Sequence, residues 1–461
     1  MEASDPRAWA SELRKLLRLA APIAFAQAGY ALMGLVDTAV VGRLGAASLG
    51  AVGLANGLFL GVAIIGLGAM MGLDPLFSQA LGAGDEERAR GLIWQGLWLS
   101  VAVTLLLALP IAALPFLLEP SGIEPVVARE ARLFLWLRLP GLWPMLAFAA
   151  LRAYLQAAGR LRSLVIATVV ANLANLGLDI VLVFGKLGFP ALGAPGAGLA
   201  TSICSFLQLA VLAHEIWGPT QPRADRGQLR MVSPDPRDLR KALAVGIPVG
   251  LQMGAEVGIF SLVGLLAGRL GARALAAHQV AISLASFTFC AALGIGQAGS
   301  VRVGWAVGAR DTPAARRAGL AAFAGGAAIM SVSALLFWLI PGPLARLLSD
   351  QQEVIAASVP LLAVCAFFQL SDGVQGVGAG VLRGAGDIRY PFLTNLVGHY
   401  AIGLPVAIWL GLRMGMGVNG LWWGLCAGLT AVAIALLTRF LRLSSREIAP
   451  LEAHPRISSP Q

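Results

Sequence analysis

Charge is what this chain has least of. Only 13% of its 461 residues are Asp, Glu, Lys or Arg, about half the share expected of a soluble domain. The deficit runs along the whole length, beside 57% apolar residues and a mean hydropathy of +0.77. That excludes a soluble globular protein and implies a polytopic membrane protein. Cysteine is scarce as well. Cys204, Cys290, Cys365 and Cys426 each lie in an apolar stretch, and no two have a metal-ligand spacing, so they are expected to be buried small hydrophobes. A nucleotide-binding loop, a zinc signature and a serine-nucleophile motif are all missing, which leaves no recognisable catalytic apparatus. The polar stretch Met1 to Arg14 precedes a long apolar run rather than a short one with a cleavage site. It is therefore expected not to be a cleavable signal peptide.

What is present is a set of twelve apolar segments, at about 16–41, 48–79, 91–118, 130–156, 163–185, 196–217, 241–268, 274–305, 315–341, 354–382, 390–412 and 418–440. Each reaches the roughly 20 residues that a spanning helix needs, and open strands could not satisfy their backbone in lipid. With the N-terminus placed in the cytoplasm, 25 Lys and Arg residues fall on the inside and seven on the outside, leaving Arg132 and Arg138 within the fourth segment. The positive-inside rule then puts both termini in the cytoplasm. It also explains the net charge of +10 without invoking nucleic acid.

The chain repeats itself. Leu13-Arg14-Lys15 and Pro22 recur 226 residues later as Leu239-Arg240-Lys241 and Pro248. At the same shift Gly42-Arg43-Leu44-Gly45-Ala46 recurs as Gly268-Arg269-Leu270-Gly271-Ala272, and Gly82-Ala83 with Asp85 as Gly308-Ala309 with Asp311. Chance likeness between apolar helices would not keep loop residues in register. Six helices per half make a parallel repeat, a plan that places substrate between the halves. The expected organisation is a cytoplasmic N-terminal segment at 1–15, a first six-helix lobe at 16–217, a cytoplasmic linker at 218–240, a second lobe at 241–440 and a cytoplasmic tail at 441–461.

Few acids lie deep within the segments: Asp37, Asp74, Asp179, Glu256 and Asp372. A carboxylate in hydrocarbon is costly and marks an ion or substrate site by default. Gln27, Tyr30, Gly34 and Asp37 share one helical stripe, expected to face inward, as do Asn172, Asn175 and Asp179. In the second half Gln252 and Glu256 are four apart, and Gln369, Asp372 and Gln375 are spaced by three. Interhelical hydrogen bonding is the competing role for the amides. Asp74 precedes Pro75, which suggests a helix break. Pro22 and Pro248 occupy equivalent places early in their helices, where a bend or hinge is expected. His278 and His399 lack metal-like neighbours and read as hydrogen-bonded core residues. Trp94, Trp98, Trp422 and Trp423 suit interface belts or a cavity wall.

These features resemble the multidrug and toxic compound extrusion (MATE) transporters, most closely their bacterial NorM-like branch. The resemblance rests on Val36-Asp37-Thr38 in the first helix and Gln79-Ala80-Leu81-Gly82-Ala83-Gly84-Asp85 after the second. Gln369-Leu370-Ser371-Asp372-Gly373 and Leu382-Arg383-Gly384-Ala385-Gly386-Asp387 add to it around the tenth, with Glu256 in the seventh. It covers roughly residues 13–440. It implies an all-α membrane protein of two six-helix lobes related by a pseudo-two-fold axis and forming a V. The implied activity is efflux of lipophilic organic cations in exchange for Na+ or H+, by a monomer in the bacterial inner membrane, without catalysis or a resident cofactor. The family's coupling-ion site looks like Asp37, Asn175, Asp179 and Thr201 here, and its second-lobe acids look like Glu256 and Asp372, which would meet the drug or a competing proton. Phe368 stands where some relatives have a tyrosine, which argues against a second-lobe Na+ site.

Two other functions fit a chain of this class. A lipid-linked saccharide flippase of the same superfamily would need a cationic cavity, yet Arg138 is almost the only deep basic residue. A membrane-embedded enzyme would need a catalytic cluster at the membrane surface, which the short charged loops lack.

Overall fold

The structure, a computed structural model, describes residues 6–218 and 231–452. The outer parts of the expected N-terminal segment and tail, and most of the expected linker, lie outside the described residues. The chain is 87% helical, with no strand among the described residues. Twelve helices are long and apolar enough to cross a membrane: α1 Trp9–Leu44, α2 Ala46–Gly82, α3 Glu86–Leu118, α4 Pro125–Ala157, α5 Arg162–Phe184, α6 Ala194–Trp217, α7 Pro236–Arg269, α8 Ala272–Gly308, α9 Thr312–Leu339, α10 Gln352–Gly384, α11 Arg389–Arg413 and α12 Gly417–Leu443. Each expected segment coincides with one of them. Helix is dictated because it satisfies every backbone group within the segment itself.

Local chemistry explains where the helices start. Asp85 accepts the backbone N–H of Arg88 at 2.9 Å at the head of α3, and Asp311 accepts that of Ala314 at 2.8 Å at the head of α9. Both are N-caps, satisfying donors that a helix end leaves open, which is why the repeat keeps an aspartate there. Gly45 and Gly271, directly before α2 and α8, have φ of 120° and 111°, a conformation that only glycine adopts freely.

Several of the helices are interrupted, α3 at Leu114 just before Pro115 among them. A turn at Gly72 divides α2, and the helix restarts at Leu73 with Asp74 in its first turn, so the break falls where Asp74-Pro75 pointed. Its repeat mate α8 carries Ser300 in place of Asp74 and runs unbroken. A 3₁₀ turn at Leu139–Gly141 divides α4 directly after Arg138. Pro140 lies within it and cannot donate to the helical ladder. Two π-helical stretches, Val397–Gly403 and Trp409–Arg413, lie in α11. No break interrupts the helices at Pro22 or Pro248, which run continuously over Pro6–Val41 and Pro236–Arg269.

The chain forms two compact units. One comprises Ala28–Phe77 and Asp85–Gly250; the other comprises the described parts of Met1–Gln27, Ser78–Gly84 and Leu251–Gln461. The chain passes between them inside α1 after Gln27 and inside α7 after Gly250, close to Pro22 and Pro248. Within the first unit, the end of the linker is tied to α3. Gln95 donates to the Ser233 carbonyl at 2.9 Å and accepts from the Asp235 amide at 2.8 Å, Trp98 donates to the Val232 carbonyl at 2.9 Å, and Arg88 forms a bidentate pair with Asp238 at 2.6 Å. Within the second unit, α8 and α10 pack through small residues. A β-carbon on Gly380 would lie 2.2 Å from the Gly296 carbonyl, and one on Gly384 as close to the Ser300 carbonyl. Gln79 closes this region by donating to the Gly384 carbonyl at 3.1 Å and accepting the Leu451 amide at 2.7 Å, so two of the sequence motifs meet here.

All four cysteines are free and buried. Trp422 belongs to neither an interface belt nor a cavity wall: it is fully buried and donates from Nε1 to His278 Nδ1 at 3.1 Å. His278 is therefore a hydrogen-bonded core residue as expected. His399 is not, since neither ring nitrogen has a partner.

Candidate functional site

Each unit holds one polar site inside its helices. In the first unit, α1 brings Asp37 to α5 and α6. Asn175 donates its amide to Asp37 Oδ1 at 2.9 Å, and the Thr201 hydroxyl lies 3.0 Å from Asp37 Oδ2. Asp179, one turn after Asn175, is completely buried and interacts directly with the Asp37 carboxyl. Both of its oxygens and Oδ1 of Asn175 have no hydrogen-bond donor. Buried polar atoms of this kind call for an explanation, and three oxygens around one acid pair call for a positive charge.

Thr201 sharpens the point. Its Oγ1 also lies 2.8 Å from the Ala197 carbonyl, and a hydroxyl has one proton to give. When that proton serves the carbonyl, the contact with Asp37 is a hydrogen bond only if Asp37 is itself protonated. A small apolar cluster of Met33, Ala171 and Cys204 is formed by the same three helices.

The stripe of α1 is not uniformly buried. Tyr30 is 45% exposed and Gly34 is exposed as well. Asp37 is turned in by its partners on α5 and α6 rather than by the stripe. Arg138 is buried where α4 breaks, its guanidinium 5.0 Å above the Phe59 ring, with Nε and Nη1 unpartnered. The Ser202 hydroxyl closes the break by donating to the Leu137 carbonyl at 2.7 Å.

The second unit's site is a cavity of about 260 Å³ whose walls include Glu256, Asp372, Gln375, His399 and the rings of Phe260 and Phe368. Oε1 of Glu256 accepts from Gln252 Nε2 at 3.1 Å and from Gln375 Nε2 at 2.6 Å. Gln375 also donates to Asn395 Oδ1 at 3.0 Å, and Asn395 donates to the Pro391 carbonyl at 3.0 Å. Glu256 therefore sits in a cradle of amides, two of which, Gln252 and Gln375, stand among the polar residues singled out in the sequence. Asn395 escaped notice because its spacing relates it to no acid; the signal available was an asparagine inside an apolar segment. Asp372 is buried in the wall, one turn after Phe368, whose ring stands edge-on to Phe260 and Trp422 with centroids 6.0 and 5.2 Å away. Gln369 is held apart from the acids by the Thr288 hydroxyl, to which it donates at 2.8 Å.

Among the described residues no three His, Cys, Asp or Glu side chains gather into a metal site. The structure thus separates the eight residues singled out in the sequence into Asp37, Asn175, Asp179 and Thr201 in one unit, Glu256 and Asp372 in the other, and the two prolines near the crossings between units.

Comparison with known proteins places the chain in a family. The MatE family model matches residues 22–181 and 248–409, two stretches whose starts are separated by the 226-residue shift of the repeat. The chain is 37% identical to the multidrug resistance protein NorM of Burkholderia vietnamiensis over 94% of this chain and 95% of that one. It is 31% identical to the multidrug resistance protein MdtK of Proteus mirabilis, over 96% and 98%. Among solved structures it resembles an outward-facing multidrug resistance MATE family transporter of the MOP superfamily, with a TM-score of 0.86 at 20% identity over 94% and 96% of the two chains. The eukaryotic MATE transporter AtDTX14 gives 0.82 at 23% identity with the same coverage. The chain belongs to the MATE family, in its NorM-like branch.

Proposed function

We propose that this chain is a secondary active multidrug efflux antiporter of a bacterial inner membrane, with both termini cytoplasmic, which exports lipophilic organic cations in exchange for Na+ or H+ by alternating access. The observation that carries the reading is the arrangement of Asp37, Asn175, Asp179 and Thr201, with three buried oxygens that no donor meets. A small monovalent cation among these oxygens would meet all three, and a proton held between the two acids would meet one of them; either would serve as a coupling ion. Glu256 and Asp372, in a cavity walled by aromatic rings, suit the drug: carboxylates attract its charge and ring faces attract cations. Relatives bearing multidrug resistance names support the substrate breadth. Pro22 and Pro248, close to the crossings between units, are the positions at which α1 and α7 would bend.

Uptake of an organic cation into proteoliposomes under separately imposed Na+ and proton gradients tests the reading. Gradient-dependent uptake of cations in preference to anions is expected. Uptake indifferent to both gradients, or equal uptake of anions, would overturn it.

A further inference from the structure

The cavity of the second unit contains a group that the acids do not account for. His399 lies in the π-helical turn Val397–Gly403 of α11, is 1% exposed and lines the cavity together with Glu256 and Asp372. Neither of its ring nitrogens has a partner. The contrast within this unit is His278, whose Nδ1 is occupied by the Trp422 indole. A buried polar group left open is uncommon and costly, and π-helical turns within α-helices are frequently found at functional sites. The turn is also held in place: a β-carbon on Gly428 of α12 would lie 2.5 Å from the Gly398 carbonyl, and one on Gly398 2.2 Å from a Val432 methyl carbon. The imidazole is therefore presented to the cavity by closely packed backbone.

Its chemistry differs from that of its neighbours. Ring faces respond to positive charge whether or not it bears hydrogen, and a carboxylate attracts any cation through its charge while also accepting an N–H. A neutral imidazole offers one acceptor nitrogen and one N–H, so it responds to a hydrogen on the ligand. Oε1 of Glu256 already receives two amide N–H groups, whereas neither imidazole nitrogen has a partner in place.

We propose that His399 is the specificity residue of this cavity, accepting the N–H of a protonated amine and so favouring amine cations over quaternary ammonium ions of the same shape. The inference rests on the reading of the cavity as an organic-cation site. The probes are a lipophilic tertiary amine, protonated at the assay pH, and its N-methyl quaternary derivative, with dissociation constants measured on the purified full-length chain in detergent. His399→Leu should weaken the amine about tenfold, the value of one hydrogen bond to a charged group, and leave the quaternary ion nearly unchanged. His399→Gln, which restores an acceptor, should recover much of the loss. An equal change for both probes in His399→Leu would overturn the proposal. So would a wild-type protein with no preference for the amine, which decides the matter even if the variants cannot be purified. Binding of neither probe by the wild type would defeat the organic-cation reading itself, an outcome distinct from binding both without discrimination.

Discussion

Asn175 donates to Asp37 at 2.9 Å across 138 residues of sequence. The bond joins the C-terminal part of α1 to α5 and gives Asp37 a neutral partner where a basic one would have cancelled its charge. An acid paired this way stays available to an ion, and Asp179 beside it, with no donor on either oxygen, shares that availability.

Replacing Asp37 with Asn keeps the size and most of the hydrogen bonding and removes only the titratable charge. Gradient-driven efflux should fall at least about tenfold, the scale of a lost interaction with a charged group, while the protein still reaches the membrane. Drug resistance of expressing cells, set against membrane abundance, is the measurement. Retained efflux would remove Asp37 from the coupling site.

The two acid sites should fail in different ways. Asp179→Asn should lower coupled transport of every substrate alike, because it alters the ion side of the exchange. Glu256→Gln or Asp372→Asn should change the ranking of substrates or the pH profile of transport. A panel of several cationic drugs assayed across pH distinguishes them. Drug-selective loss in Asp179→Asn together with uniform loss in Glu256→Gln would reverse the assignment.

Packing between α8 and α10 should tolerate no added methyl group at Gly380, because the obstacle is the backbone carbonyl of Gly296 rather than a side chain that could turn away. Gly380→Ala is expected to cost about 1–3 kcal/mol, as overpacking does. It should appear as a lower thermal midpoint in detergent. Gly34→Ala, where nothing lies within 4 Å, is the control.

Arg310 and Gly84 occupy equivalent places in the repeat, and both have positive φ, 57° and 74°. Their amides accept the same duty, donating to the Val307 and Leu81 carbonyls at 2.9 and 3.1 Å. The arginine holds a left-handed conformation that disfavours a side chain by roughly 1–2 kcal/mol. Arg310→Gly should therefore stabilise the protein by about 1 kcal/mol. A thermal midpoint that falls would show that the arginine side chain compensates for the strain.

The sequence alone determined the twelve helices, because a bilayer demands a run of apolar residues of fixed minimum length and a backbone satisfied within each segment. It determined the repeat as well. Asp85 and Asp311 cap their helices and Gly45 and Gly271 turn into them, and those requirements are met within a few residues of chain. The acids were legible because each is isolated in apolar surroundings. The tertiary structure decided which side chains meet. Tyr30 shares a stripe with Asp37 but is exposed, whereas Asp37 meets Asn175 and Thr201. Asn395 joins Glu256 through Gln375, 20 residues away in sequence and on another helix. His278 and His399 look alike as single histidines in apolar segments, yet one receives the indole of Trp422 and the other nothing. Hydrogen bonds between side chains depend on which helices come into contact and at what height, and no local pattern records that.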